Sequence, residues 1–199
     1  MSARTVWPPN DPALLGTLLR RHPTRRAEID PFAAIALLLT PCSSPSSPQQ
    51  LLLIQRAERE GDPWSGHMAL PGGRIDPADA DPLSAALREL AEETGIQLTS
   101  THLLSDLDDV RARGGPTPGA PVPGVRPFVF WLDRVPSLSL SDEVADAMWV
   151  PLGELLDSAC DCDVNVRETV LRVPAYRWRE RTVWGMTHRV ICSFFERLG

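Results

Sequence analysis

Gly72-Gly73-Arg74-Ile75-Asp76-Pro77-Ala78-Asp79-Ala80-Asp81-Pro82-Leu83-Ser84-Ala85-Ala86-Leu87-Arg88-Glu89-Leu90-Ala91-Glu92-Glu93-Thr94-Gly95-Ile96 decides the fold, because both its ends and its faces are written in residue type. Asp81 is suited to cap a helix, Pro82 sits where a missing N–H costs nothing, and Gly95 can take the left-handed turn that ends it. The spacing therefore predicts a helix from about Pro82 to Gly95. With about 100° of rotation per residue, Leu83, Ala86, Leu87 and Leu90 share one stripe. Glu89, Glu92 and Glu93 fall within an arc of about 100° on nearly the opposite side. Arg88 precedes Glu92 by one turn and is placed to hold that carboxylate in a fixed orientation.

An acidic patch of this kind has two readings. It can be the solvated face of an amphipathic helix. Alternatively, carboxylates that repel one another become oxygen ligands once a hard divalent cation joins them. Position favours the second, since a helix entered from a Gly-Gly loop after a strand sets its acids beside exposed backbone N–H groups. That arrangement suits metal and polyphosphate held together.

Outward from this segment, strands and helices alternate without a regular βαβ period. Asp11 and the leucines at 14, 15, 18 and 19 predict a helix over Pro12–Arg21. Ala33–Thr40 and Leu51–Arg56 read as strands joined by a Pro- and Ser-rich exposed loop, Pro41–Gln50. Leu103–Leu107, Pro127–Leu132, Ala147–Val150 and Ala175–Val183 read as further strands. Leu152–Ser158 and Met186–Leu198 read as helices, and the Gly/Pro-rich Arg113–Gly124 reads as a surface loop beside a ligand. No internal repeat is present. A mixed sheet packed by helices, an α/β class, is the expected architecture.

At 199 residues the chain fills one core and leaves no room for a second full domain. The longest apolar run, Phe32–Leu39, is too short to span a membrane, and Met1–Asp11 has no apolar signal core. A cytoplasmic home is the expectation. Cysteines at 42, 160, 162 and 192 suit free thiols in a reducing compartment. A net charge of −6 argues against sequence-independent nucleic-acid binding, while leaving phosphorylated ligands open where divalent cations screen the charge.

The segment resembles the signature of the Nudix hydrolases: a glycine, then an acid, then Arg-Glu-apolar-x-Glu-Glu-x-Gly-apolar. Arg88 to Ile96 matches at every specified position. The first half departs, because Asp79 stands in place of the family's glutamate and Gly73 to Arg88 is one residue longer than usual. The resemblance implies an α/β/α sandwich with a mixed β-sheet, covering 31–199 behind an N-terminal helical extension over 1–30. It also implies Mg²⁺- or Mn²⁺-dependent hydrolysis of a diphosphate linked to another moiety. Glu89, Glu92 and Glu93 would be the metal ligands, Arg88 would position them, and Gly73 would shape the loop. The catalytic set becomes Arg88, Glu92, Glu93 and a base, for which Glu143 in Ser141-Asp-Glu-Val is the candidate. A capping or surface role for Glu143, with a helix glutamate as base, is the alternative.

Within that family, Arg56-Ala57, Gly66-His-Met-Ala-Leu-Pro-Gly-Gly73, Leu107-Asp-Asp-Val110 and Val183-Trp-Gly-Met-Thr187 are similar to the coenzyme A pyrophosphatase branch. The resemblance implies coenzyme A or a derivative as the small-molecule partner, split into 3',5'-ADP and 4'-phosphopantetheine. Arg56, Gly72, Gly73 and Arg74 are the expected substrate contacts. ADP-ribose, NADH, a dinucleotide or a nucleoside triphosphate is the alternative substrate, and a nucleotide-sensing module without catalysis is the alternative function. Trp64, Trp178 and Trp184 offer stacking surfaces, and Arg113, Arg126, Arg177 and Arg179 are further phosphate candidates. His67, just before the glycine loop, is placed either for substrate or for a structural hydrogen bond.

Overall fold

A computed structural model describes residues 10–27, 30–44, 47–62, 64–111, 124–166 and 169–199. Apolar β-branched and leucine-rich segments build the centre. β1 (Ala33–Pro41) runs parallel to β7 (Gly124–Trp131) and antiparallel to β2 (Gln49–Arg56), whose far side pairs with β8 (Val144–Pro151). β1 and β2 pair only over Leu39–Pro41 and Gln49–Leu51, so they diverge toward the other end. The gap is filled by two short strands: β3 (Met68–Ala69) pairs with β2, and β4 (Gly72–Arg74) pairs with β1. β5 (Leu103–Asp106) and β6 (Val110–Arg111) continue the sheet along β7.

Because successive strand residues point to opposite faces, the sheet has two cores. One face carries Ala34, Ala36, Leu38, Leu52, Phe128 and Phe130, which meet Ala85, Ala86 and Leu90 of α2 (Pro82–Thr94). The other carries Leu37, Leu39, Leu51, Leu53 and Val129. These pack against α1 (Pro12–Leu19), α3 (Leu152–Asp157), α4 (Gly185–Leu198) and the antiparallel hairpin sheet of β9 (Ala159–Val166), β10 (Thr169–Trp178) and β11 (Arg181–Trp184). Helices thus cover both faces of a mixed sheet, the α/β/α sandwich. Among the described residues no helix is long and apolar enough to cross a membrane.

Several sequence expectations need correction. Ala175–Val183 is not one strand but the turn of a hairpin: Trp178 pairs with Arg181, and Arg179 takes φ 53° between them. No Gly or Asn marks this turn; instead the Arg179 guanidinium lies over the Trp178 ring at 4.3 Å. Ala159–Val166 lacks an apolar run yet forms β9, pairing with β10 along its length. The Pro41–Gln50 loop is less exposed than its composition suggests, since Ser47 and Gln49 are buried. Of the Gly/Pro-rich surface loop, Arg113 to Pro123 lie outside the described residues.

The chain ahead of β1 is fastened by charge as well as by the buried Leu15 and Leu19. Asp109, its side chain shielded from solvent, accepts from Arg126 Nε and Nη2 at 2.8 and 3.0 Å and from the Ala27 backbone N–H at 2.9 Å. Burial pushes its carboxyl up, but the Arg126 and Ala27 hydrogen bonds outweigh this and hold it below the ordinary range. Asp108 takes the Arg25 backbone N–H and the Arg197 guanidinium in the same way. Arg126 is thereby a structural cation and not a free phosphate contact. Asp109→Ala leaves two guanidinium groups facing a buried hole; it is expected to cost about 3–5 kcal/mol, read as a lower urea midpoint.

Candidate active site

The glycine loop and α2 form one unit. Asp81 caps the helix through Ser84 N at 2.7 Å, and Gly95 closes it at φ 74°. Gly72 stands at φ 145°, and a Cβ there would lie 2.4 Å from the Ala34 carbonyl oxygen. A Cβ on Gly73 would lie 2.5 Å from the Glu89 carboxylate. Both glycines are therefore needed for close approach: one to β1, the other to an acid of α2.

That approach lets the Gly72 N–H donate to Glu93 Oε2 at 2.9 Å. Glu93 is buried, at 5% exposure, and so does not belong to a solvated face as helical spacing alone suggests. The glycine loop roofs it. Glu89 is half-buried and Glu92 is exposed, so the arc of acids grades from water into the protein. The apolar stripe is displaced in the same sense, with Ala85, Ala86 and Leu90 buried and Leu83 and Leu87 only partly so.

Arg88 organises the acids. Its Nη1 donates to Glu89 Oε1 and Glu92 Oε2, both at 3.0 Å. Its Nε and Nη2 grip Asp79 as a fork, at 3.0 and 2.9 Å, and Nη2 also donates to the Arg74 carbonyl at 3.1 Å. Asp79 is itself fixed by a turn in which Asp76 N donates to Asp79 Oδ2 at 2.8 Å. The extra loop residue and the shorter acid thus compensate: an aspartate reaches Arg88 where the family pattern has a glutamate. The Arg88 bond holds the Asp79 carboxyl below its usual range, and Asp79 in turn raises the guanidinium.

Electrostatics mark Glu93 as the unusual group. Burial pushes its pKa up to about 7, with Glu89 and Glu143 adding repulsion and the Gly72 N–H and Arg56 opposing it. Glu89 is raised too, chiefly by burial, against the pull of Arg88. Glu143 makes an ion pair with Arg59 at 3.1 Å, both side chains about half exposed, and its carbonyl accepts from Ala57 N at 2.8 Å. Arg56 pairs with Asp62 at 2.8 Å, while its Nε is buried without a hydrogen-bond partner. Among the described residues no three acids, histidines or cysteines close into an ion cage. The donors still suit a hard divalent cation: carboxylate oxygens, one of them held in low dielectric beside two like charges that a cation would relieve.

The fold therefore gathers Arg88, Glu89, Glu92, Glu93, Gly72 and Gly73, with Arg56 and Glu143 within electrostatic reach of Glu93. Arg74 contributes its carbonyl to the cluster and leaves its side chain exposed. Trp178 is not a stacking surface: it is buried and donates Nε1 to Glu154 at 2.9 Å. The sequence reading missed the Arg56–Asp62 and Arg59–Glu143 pairs, for which separations of 6 and 84 residues give no local signal.

A family model, the NUDIX domain, matches residues 33–171. A Nudix hydrolase of Photorhabdus laumondii, NudL, named as uncharacterized, is 31% identical over 181 residues, 88% of this chain and 89% of that protein. An uncharacterized protein of Schizosaccharomyces pombe is 39% identical over 130 residues, 63% of this chain but only 39% of that longer relative. Among solved structures, the NUDIX domain of Shewanella oneidensis NrtR complexed with ADP ribose matches with TM-score 0.57 and 20% identity, covering 87% of this chain and 91% of that one. A bifunctional NMN adenylyltransferase/ADP ribose pyrophosphatase from Francisella tularensis matches with TM-score 0.55 and 20% identity, over 94% and 46%. At these identities the structural likeness is one of fold.

Glu93 also generates a linkage test. A carboxyl whose folded pKa is raised from 4.5 to about 7 adds stability below the lower value and loses it as pH rises through the upper one. In chelator-treated protein, Glu93→Gln is expected to melt with the wild type below pH 4.5, to gain on it steadily between pH 4.5 and about 7, and to hold a constant lead above that. A melting-temperature difference that does not change with pH would remove the buried charge from the description.

Proposed function

The chain belongs to the Nudix family, and from that premise we propose that it is a divalent-metal-dependent pyrophosphohydrolase of coenzyme A or its thioesters. As a member with hydrolase relatives it is an enzyme acting on phosphoric anhydride bonds. The products would be 3',5'-ADP and 4'-phosphopantetheine, or its acyl form. The observation that carries the hydrolytic reading is the Arg88 fork, which binds Asp79 and two helix glutamates beside a buried third one roofed by Gly72, while coenzyme A as substrate rests on the likeness of Gly66–Gly73 and Val183–Thr187 to that branch. A nucleotide-sensing module would have no chemical need for this set. A cytoplasmic setting suits the four cysteines, all free thiols.

Glu89, Glu92 and Glu93 would hold Mg²⁺ or Mn²⁺, which supplies charge neutralisation on the diphosphate and acidifies an attacking water. The protein's own groups do the rest. Arg88 fixes the directions of Glu89 and Glu92, and Asp79 fixes Arg88, so the donors are set before substrate arrives. Gly72 and Gly73, lacking side chains, let a phosphate approach the backbone. Arg74 and Arg56 are the cations for its remaining charge, Arg56 being held by Asp62. Glu143 accepts the water's proton; its bond to Arg59, at the surface on both sides, is weak enough to open.

Products identified by mass decide the substrate. Incubation with Mg²⁺ or Mn²⁺ and a panel of coenzyme A, its thioesters, NADH, ADP-ribose, dinucleotides and nucleoside triphosphates is expected to give 3',5'-ADP most rapidly from coenzyme A. Faster turnover of another compound would transfer the assignment. Arg88→Lys, which cannot form the fork, is expected to lower kcat about 10–100-fold with a smaller change in KM. Unaltered turnover in that variant would separate the fork from catalysis.

A further inference from the structure

Trp64 is 49% exposed, an unusual setting for so large an apolar ring, yet it is held in place. His67 meets it edge-on with centroids 5.9 Å apart, and Trp184 lies tilted at 6.0 Å. His67 and Trp184 also touch each other, at 5.2 Å, so the three rings brace one another. The Trp64 backbone N–H donates to Asp62 Oδ1 at 3.0 Å, and the other oxygen of Asp62 takes Arg56 Nη2 at 2.8 Å. One aspartate thus ties the ring to Arg56, whose charge acts on Glu93. Behind His67 and Trp184 opens a groove of about 230 Å³, to which Gln55, Asn165 and Arg181 contribute polar edges. Arg181 is anchored there by Asp146, at 2.6 Å, and by Gln55.

We propose that the Trp64–His67–Trp184 cluster is the nucleobase platform of this enzyme: a base stacks on the exposed Trp64 ring while its 5'-phosphate meets Arg56. The inference rests on the phosphohydrolase reading and adds to it the substrate half that the site recognises. Chemistry supports a base over an aliphatic group. A rigid aromatic face tied through Asp62 to a cation is suited to a flat π-system carrying an anion, and the Asn165 amide at the groove offers a donor and an acceptor for ring edges. His67, whose burial lowers its pKa, stays neutral as a bracing ring near neutrality. The loop needs no rearrangement to present the ring, since Asp62 already fixes it.

AMP and ribose 5-phosphate, which share the phosphate and differ in the base, test this by calorimetry on the full chain. The wild type is expected to bind AMP at least about tenfold more tightly than ribose 5-phosphate. Trp64→Ala should abolish most of that preference by weakening AMP alone, and Trp64→Phe should restore much of it. Equal affinity of the wild type for both probes, or no measurable binding of AMP, would overturn the platform whether or not the variants fold. Equal weakening of both probes by Trp64→Ala would also overturn it, by showing that the ring only shapes the loop. Cleavage of a nucleoside diphosphate derivative by a protein whose AMP affinity ignores Trp64 would remove the platform and keep the activity. Trp64-dependent AMP binding by a protein that cleaves nothing would do the reverse.

Discussion

The structure depends on a concentration of like charge that one guanidinium makes tolerable. Glu89, Glu92 and Glu93 share little more than a turn of α2, and burial of Glu93 makes its ionisation costly. Arg88 bonds the two outer acids and is itself held by Asp79, so the cluster is cross-linked, though still negative, before any cation enters. Among the described residues Glu93 has the Gly72 backbone N–H and the attraction of Arg56 to set against its burial. Burial raises Glu89 in spite of its Arg88 bond and raises Glu93 to about 7, which is the condition that favours a cation there.

The scaffold supplies that tension. β1 and β2 diverge, and the gap admits the two short strands and the glycine loop that roofs Glu93. Leu90, Ala85 and Ala86 clamp α2 onto the sheet, so the inner acid cannot swing out without lifting the helix. Across β1 from the glycine loop, where Ala34 pairs with both Gly73 and Arg126, Asp108 and Asp109 fasten the N-terminal segment and α4 to the β6–β7 edge through arginines. The two clusters therefore do different work: Asp109 is matched by guanidinium groups, whereas at α2 a single guanidinium serves Asp79, Glu89 and Glu92 and leaves a negative excess beside Glu93.

Much of this was legible in the sequence because local rules governed it. Asp81, Pro82 and Gly95 fix the ends of α2, and the mixed order of elements points to a mixed sheet packed by helices, the family resemblance alone implying helices on both faces. The spacing also placed Arg88 against Glu92. What it could not weigh was depth, because the burial of Glu93 is imposed by a loop and a β-strand distant in sequence. The hairpin turn at Arg179 was hidden for a related reason, since a left-handed arginine stacked on tryptophan carries no turn signature. Asp79, which departs from the expected glutamate, is read correctly only once the turn with Asp76 shows how it reaches Arg88.

The most direct measurement is of metal binding itself, without turnover. Free Mn²⁺ has a paramagnetic resonance signal that disappears on coordination, so titrating protein into Mn²⁺ counts occupied sites. The wild type is expected to deplete the signal, and the variant with Glu89, Glu92 and Glu93 all changed to Gln is expected to leave it intact while retaining the folded spectrum. Equal depletion by both proteins would contradict the account, because the cation would then be held somewhere other than the acids of α2.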